Sequence, residues 1–179
     1  MIKKILKIFG SVLLVFILLF ALAFTFLPLP GNIPVLMYHF IDTPERAAKE
    51  KNVISRQSFE RQMKFLKRFG YHVLSINDYY EIRTGKRRPR GKEILLTFDD
   101  GNYTFNDQAF PILQKYQLPS AIFVISESIK QGINGSMRAD TIKKLIASGL
   151  VTAGGHTRTH PFLSQMRDDQ IEEELKGSK

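Results

Sequence analysis

The chain has 179 residues, no cysteine and a formal net charge of +9. That length admits one domain with a real core, and the absence of thiols excludes disulfides and thiolate metal sites. A nucleic-acid partner is not expected. The densest basic run, Lys86-Arg87-Arg88-Pro89-Arg90-Gly91-Lys92, is broken by Pro and Gly and carries no interleaved aromatics, so it reads as a solvated loop lying near anionic polymers or lipid headgroups.

Lys3, Lys4 and Lys7 precede an uncharged stretch from Ile8 to Leu27. Twenty helical residues rise about 30 Å, the thickness of a bilayer's hydrocarbon core. Residues 1–29 are therefore expected to form a single-pass membrane anchor, with the lysines cytoplasmic and the remainder of the chain outside. The competing reading is a secretory signal cleaved near Ala21-Leu22-Ala23. Pro28 to Gly31 is a hinge, since Pro-x-Pro-Gly cannot continue a helix.

Beyond the hinge, Ile33 to Tyr38 reads as a buried strand ending at His39, and Thr43 to Asn52 as a polar loop with some helical tendency. Phe59, Met63, Leu66 and Phe69 recur at helical spacing from Ser58 to Phe69, with Gly70 as the stop. A short strand (Tyr71 to Leu74) and a short helix (Ile76 to Ile82) follow. Glu93 to Phe98 is a strand whose Ile94-Leu95-Leu96 centre looks covered on both faces. Asn106 to Tyr116 is expected to be helical, burying Ala109, Ile112, Leu113 and Tyr116. Then come a strand from Ser120 to Ile125, a helix from Ala139 to Ser148 and a strand from Leu150 to Ala153. A last helix runs from Asp168 to Lys176, with Asp168 and Asp169 favourable near its positive end. Strands alternating with helices imply an α/β fold, either a parallel sheet or an α/β barrel. In such folds chemistry collects at the carboxyl ends of the strands.

Two motifs obey that rule. Thr97-Phe98-Asp99-Asp100-Gly101 closes the apolar strand with adjacent carboxylates, and His156-Thr157-Arg158-Thr159-His160 follows another strand. One carboxylate and two neutral imidazoles can hold a divalent ion while leaving a position open for water, and the second carboxylate can take that water's proton. Adjacent carboxylates after buried strand residues are costly unless something compensates their charge. Gly154-Gly155 allow close backbone approach before the histidines, and Pro161 fixes the exit. His39 reads either as a satisfied core or capping histidine or as the general acid the site otherwise lacks, imidazole being the usual side chain for protonating a departing amine near neutral pH. His72, inside a short strand, reads as structural.

At these residues the chain resembles the polysaccharide deacetylases of carbohydrate esterase family four, the NodB-homology enzymes. The motifs Thr97-Phe98-Asp99-Asp100-Gly101 and Gly155-His156-Thr157-Arg158-Thr159-His160-Pro161 carry the likeness, and Ala109-Phe110-Pro111-Ile112-Leu113 to Phe123-Val124 looks like the usual continuation. Pro34-Val35-Leu36-Met37-Tyr38-His39 is similar to the opening of the subgroup that deacetylates poly-β-1,6-N-acetylglucosamine in biofilms. The resemblance runs from about Ile33 to the end. It implies a distorted (β/α) barrel over residues 30–179 and hydrolysis of an acetamide on an extracellular N-acetylglucosamine polymer. It also implies that Asp100, His156 and His160 bind the metal, zinc by expectation, with Asp99 as the base and His39 as the general acid. The next family motif, a Pro-Tyr element supplying a backbone N–H to the oxyanion, would lie beyond Lys179, so the domain is expected to be partial. Peptidoglycan as the substrate, or a tethered remnant without activity, are the alternative readings.

Overall fold

The computed structural model describes residues 12–19, 32–133 and 135–179, in two units, Met1–Asn32 and Ile33–Lys179. In the first unit residues 12–19 are helical (α1) and exposed. Most of the expected membrane span lies outside the described residues, and among the described residues no helix is long and apolar enough to cross a membrane.

In chain order the second unit runs β1 (Val35–Tyr38), β2 (Phe40–Asp42), α2 (Pro44–Ala47), β3 (Val53–Ser55), α3 (Arg56–Arg68), β4 (His72–Leu74) and α4 (Ile76–Arg83). It continues through β5 (Glu93–Phe98), a π-helical turn (Phe105–Ala109), α5 (Phe110–Tyr116), β6 (Ser120–Val124), α6 (Ser126–Gln131), α7 (Ala139–Ala147) and β7 (Val151–Gly155). A 3-10 turn (Leu163–Gln165) leads into α8 (Asp168–Lys176). Strands β1, β5, β6 and β7 lie side by side in that order, β4 also pairs with β5, and every pairing is parallel. This is the expected α/β class with a parallel sheet.

β5 is the hub. β1 registers against it from Leu95 to Phe98, β4 from Glu93 to Leu95, and β6 at Thr97 and Phe98. All six of its residues are buried, Leu96 completely, which explains why the strand reads as continuously apolar. Helix α3 covers the sheet with Phe59, Met63 and Leu66. Its first turn is capped by Ser55, whose Oγ accepts the Ser58 N–H at 3.2 Å, and Gly70 ends it at φ +68°. Burying each such side chain contributes about 1.5–3 kcal/mol. At the carboxyl end of β5 the core turns aromatic. Tyr38 stacks on Phe98 at 5.2 Å, Phe59 meets both edge-on, and Phe105 packs against Phe98 at 4.7 Å. Phe98 is therefore locked immediately before Asp99.

Four local features differ from the sequence reading, the first being β1, expected as a buried strand but exposing Val35 and Met37 on one face. The segment expected as a loop is flanked by β2 and β3, which pair parallel as a separate two-stranded sheet, and Pro44–Ala47 forms a turn of helix capped by Thr43. The helix expected from Asn106 begins instead as a π-helical turn. Pro111 has no N–H to return to the carbonyl four residues back, so regular α hydrogen bonding resumes only from Phe110. Helix α6 is not foreshadowed by any apolar stripe.

Candidate metal centre

Parallel register puts the carboxyl ends of β1, β5, β6 and β7 on one edge of the sheet. The ladder continues one step past two strands: the Asp99 N–H donates to Tyr38 O at 2.9 Å, and the His156 N–H donates to Val124 O at 2.8 Å. The two sequence-distant motifs thus leave the same edge of the sheet, from β5 and β7, with β6 between them. The chain then bends sharply. Asp100 and Gly101 are both left-handed, at φ +70° and +68°. Aspartate tolerates this conformation better than most residues. Gly101 has a second reason to lack a side chain, since a Cβ there would lie 2.9 Å from Val124 Cγ1.

Asp100, His156 and His160 converge. His156 Nε2 and His160 Nε2 are 3.1 Å apart, and Asp100 Oδ1 lies 3.5 Å from the first and 3.7 Å from the second. Ligand bonds of about 2.0–2.1 Å at tetrahedral angles put neighbouring donors about 3.3–3.4 Å apart, so these atoms have the spacing of one tetrahedral face. Asp100 Oδ1 is buried and has no hydrogen-bond donor. A buried unpaired carboxylate oxygen is expensive, and a divalent cation shared with the two imidazoles would remove that cost. The residues fit the metal. All three side chains are partly exposed, by 24%, 30% and 53% for Asp100, His156 and His160, so a cation held there would be open to solvent.

Asp99 is half-buried directly before this cluster. His39 directly follows β1, the strand beside β5, and is half-buried. It lines a groove with Met37, Tyr38 and the Lys51 to Ile54 segment, and its ring lies 6.4 Å from that of Phe40. It is not one of the three clustered donors. His72 is exposed at the opposite end of the sheet, in register with Glu93, and takes no part.

The loop between the two histidines is strained. Thr157 and His160 have φ values of +60° and +64°, and left-handed non-glycine residues cost about 1–3 kcal/mol each. For a β-branched threonine the conformation is a true outlier. Several bonds hold it. Thr157 Oγ1 accepts the His160 N–H at 3.0 Å. The first amides of α6 take the loop's carbonyls, Ser126 N–H to Thr157 O at 3.4 Å and Glu127 N–H to Arg158 O at 3.0 Å.

Glu174, which the sequence reading passed over, takes the loop's amides. Its Oε2 accepts the Arg158 and Thr159 N–H groups at 2.9 and 2.8 Å, and its Oε1 accepts the Thr159 hydroxyl at 2.8 Å. Burial pushes the Glu174 carboxyl upward in pKa, but the Thr159 and Arg158 hydrogen bonds outweigh burial and hold it below the usual range. The available signal was positional: Glu174 falls three residues after Ile171, on the inward stripe of α8.

The family model described as polysaccharide deacetylase matches residues 86–179, just over half of the chain. YxkH of Bacillus subtilis, whose name assigns it to polysaccharide deacetylases, is 32% identical over 151 residues, 84% of this chain and 51% of its own length. A poly-beta-1,6-N-acetyl-D-glucosamine N-deacetylase of Staphylococcus aureus is 30% identical over 123 residues, 66% of this chain and 41% of its own. Among solved structures, the Streptococcus pyogenes deacetylase PplD in complex with acetate superposes with a TM-score of 0.76 at 31% identity, covering 84% of this chain and 67% of that one. The chain spans about half the length of the curated relatives it matches.

Proposed function

Since this chain belongs to the polysaccharide deacetylase family, we propose that it takes part in metal-dependent removal of N-acetyl groups from an extracellular N-acetylglucosamine polymer of the poly-β-1,6 type. The observation that carries this reading is the Asp100, His156 and His160 cluster beside a second carboxylate, Asp99, at the carboxyl edge of a parallel sheet. The substrate class rests on the staphylococcal relative's name. We read the sheet as part of a distorted (β/α) barrel, and residues 1–29 as the anchor that holds it outside the membrane.

Asp100, His156 and His160 would hold the cation, and a set of one oxygen and two imidazole nitrogens suits zinc. When bound, it supplies Lewis acidity to the acetamide carbonyl and acidifies a water. Asp99 takes the proton of the attacking water, its backbone N–H tied to Tyr38 so that the carboxylate stays at the strand end. His39, at the end of the adjoining strand, gives a proton to the glucosamine nitrogen as acetate leaves. The hydrogen-bonded loop from Thr157 to Thr159 keeps both imidazoles aimed at the same point.

Acetate release from N-acetylated β-1,6- and β-1,4-linked glucosamine oligosaccharides, followed by mass spectrometry with zinc present, tests the proposal. Release from the β-1,6 series is expected, and release from the β-1,4 series alone would move the assignment to a peptidoglycan-like polymer. Asp99→Asn should keep zinc and lose turnover, whereas Asp100→Ala should lose zinc itself. A zinc-loaded chain that deacetylates neither series refutes the enzymatic reading.

A further inference from the structure

We propose that Glu174 is a positioning residue for the histidine ligands, its carboxylate fixing the backbone between them in the shape that presents both imidazoles to one cation. This rests on the metal reading given above. Helix α8 is strongly acidic, and Asp168, Asp169, Glu172 and Glu173 all face solvent, whereas Glu174 is only 4% exposed. A carboxylate is not buried without compensation. Here the compensation comes from one loop alone: two backbone N–H groups and a hydroxyl, all from Arg158 and Thr159. Arg158 adds its charge, with Nε 3.6 Å from Glu174 Oε1 and an Nη1 bond of 3.2 Å to Glu173.

A group serving only its own helix would cap that helix. Glu174 reaches sixteen residues back instead. The loop it grips contains left-handed Thr157 and ends at left-handed His160, a path the chain would leave if its amides were free to pair with water. The fit is close on both sides. A Cβ on Gly177 would meet Arg158 Cδ at 2.7 Å, and one on Gly155 would meet Ser178 O at 2.9 Å. The end of α8 is therefore the second wall of the loop, opposite the amides of α6, and Glu174 is the bolt through it. Ligand-orienting groups of this kind govern metal affinity as well as rate.

The test measures metal binding on the full chain. Zinc affinity by chelator competition, the visible absorption of bound Co2+ and the metal-free melting temperature are recorded for wild type, Glu174→Gln and Glu174→Ala. Glutamine can keep the three hydrogen bonds, its carbonyl accepting both N–H groups and its amide donating to the Thr159 hydroxyl, and loses only the charge that faces Arg158. It should bind zinc like wild type with an unchanged Co2+ spectrum. Alanine should weaken zinc binding of the folded protein about 10–100-fold and alter the Co2+ spectrum. If alanine only lowers the metal-free melting temperature and leaves zinc affinity and the spectrum unchanged, Glu174 is structural and the proposal is overturned. Glutamine binding as weakly as alanine also overturns the hydrogen-bond assignment. Should Glu174→Ala not fold, Glu174→Asp, which keeps the charge but withdraws the oxygens by one methylene, is read the same way. A wild-type chain that binds neither metal would overturn the metal reading together with this one, whereas equal binding by wild type and alanine overturns this one alone.

Discussion

Gly101 is where site geometry and stability meet, and replacing it with alanine separates two costs. The first is conformational: φ is +68°, and placing a side chain in the left-handed region costs about 1–2 kcal/mol. The second is steric. The new methyl would sit 2.9 Å from Val124 Cγ1, 3.1 Å from Val124 Cβ and 3.4 Å from its Cα, and forcing an extra methyl into packed surroundings costs about 1–3 kcal/mol. Gly101→Ala should therefore lose about 2–5 kcal/mol, which lowers the melting temperature of a domain this size by roughly 4–20 °C. Gly149 supplies the control. It has φ +76° with nothing within 4 Å of a built Cβ, so Gly149→Ala should show only the conformational part, roughly 2–8 °C. Circular-dichroism melts of the metal-free chains measure both. A double-mutant cycle with Val124→Ala should recover part of the Gly101→Ala loss, because the two closest contacts belong to the Val124 side chain. Equal losses at Gly101 and Gly149, or a cycle with no coupling, would refute the close approach of β5's end to β6 on which the ligand geometry depends.

Zinc at a hundredfold excess over its dissociation constant should stabilise the chain by about 2.7 kcal/mol, visible as a rise in melting temperature that EDTA reverses and Asp100→Ala abolishes; an unshifted melt contradicts the metal centre. Burial pushes the Tyr38 phenol up to about 12, so the folded form disfavours the phenolate relative to the unfolded chain, where Tyr ionises near 10. The stability from this group is intact below about pH 10 and is lost as pH climbs toward about 12. Denaturant midpoints at pH 9 and 11 should therefore fall further for wild type than for Tyr38→Phe, and equal falls would refute the assignment.

Much of this fold is legible because burial and chain chemistry agree. β5 falls on the expected residues, since Ile94-Leu95-Leu96 bounded by Glu93 and Phe98 fits only a strand covered on both faces. Helices α3 and α8 begin within two residues of their expected starts, where stripe spacing, a cap or an acidic first turn mark the boundary. What escapes notice is short or depends on partners. β2 and β3 have three residues each and pair in the sheet only with one another, so neither carries a readable alternation. The π-helical turn before α5 turns on a single missing N–H, and α6 buries no residue fully. The convergence of Asp100 with His156 and His160 follows from parallel register once the two strands are recognised, because both motifs leave the sheet at its carboxyl edge.

The groups that hold those ligands are another matter, and the reason is physical. A candidate ligand is recognisable by chemistry and place together: carboxylates after an apolar strand and imidazoles four residues apart, each weak alone, both sit at strand ends. A support is ordinary by chemistry and unusual only by place. Glu174 follows Glu172 and Glu173 in a helix that looks uniformly solvated, and only the docking of α8 selects it for burial. The strain has the same character. Asp100, Thr157 and His160 are left-handed, but nothing in their identity announces it. These conformations persist because surrounding donors and acceptors over-determine them: Glu174 and Thr157 Oγ1 hold the loop's amides, and α6 holds its carbonyls. Strain of this kind is tolerated where it aims a side chain. Here it turns one carboxylate oxygen and two ring nitrogens toward a common point with each pair 3.1–3.7 Å apart. A relaxed loop would have to abandon at least one of those directions. The unfavourable backbone and the convergence of the three donor atoms are thus one feature seen from two sides.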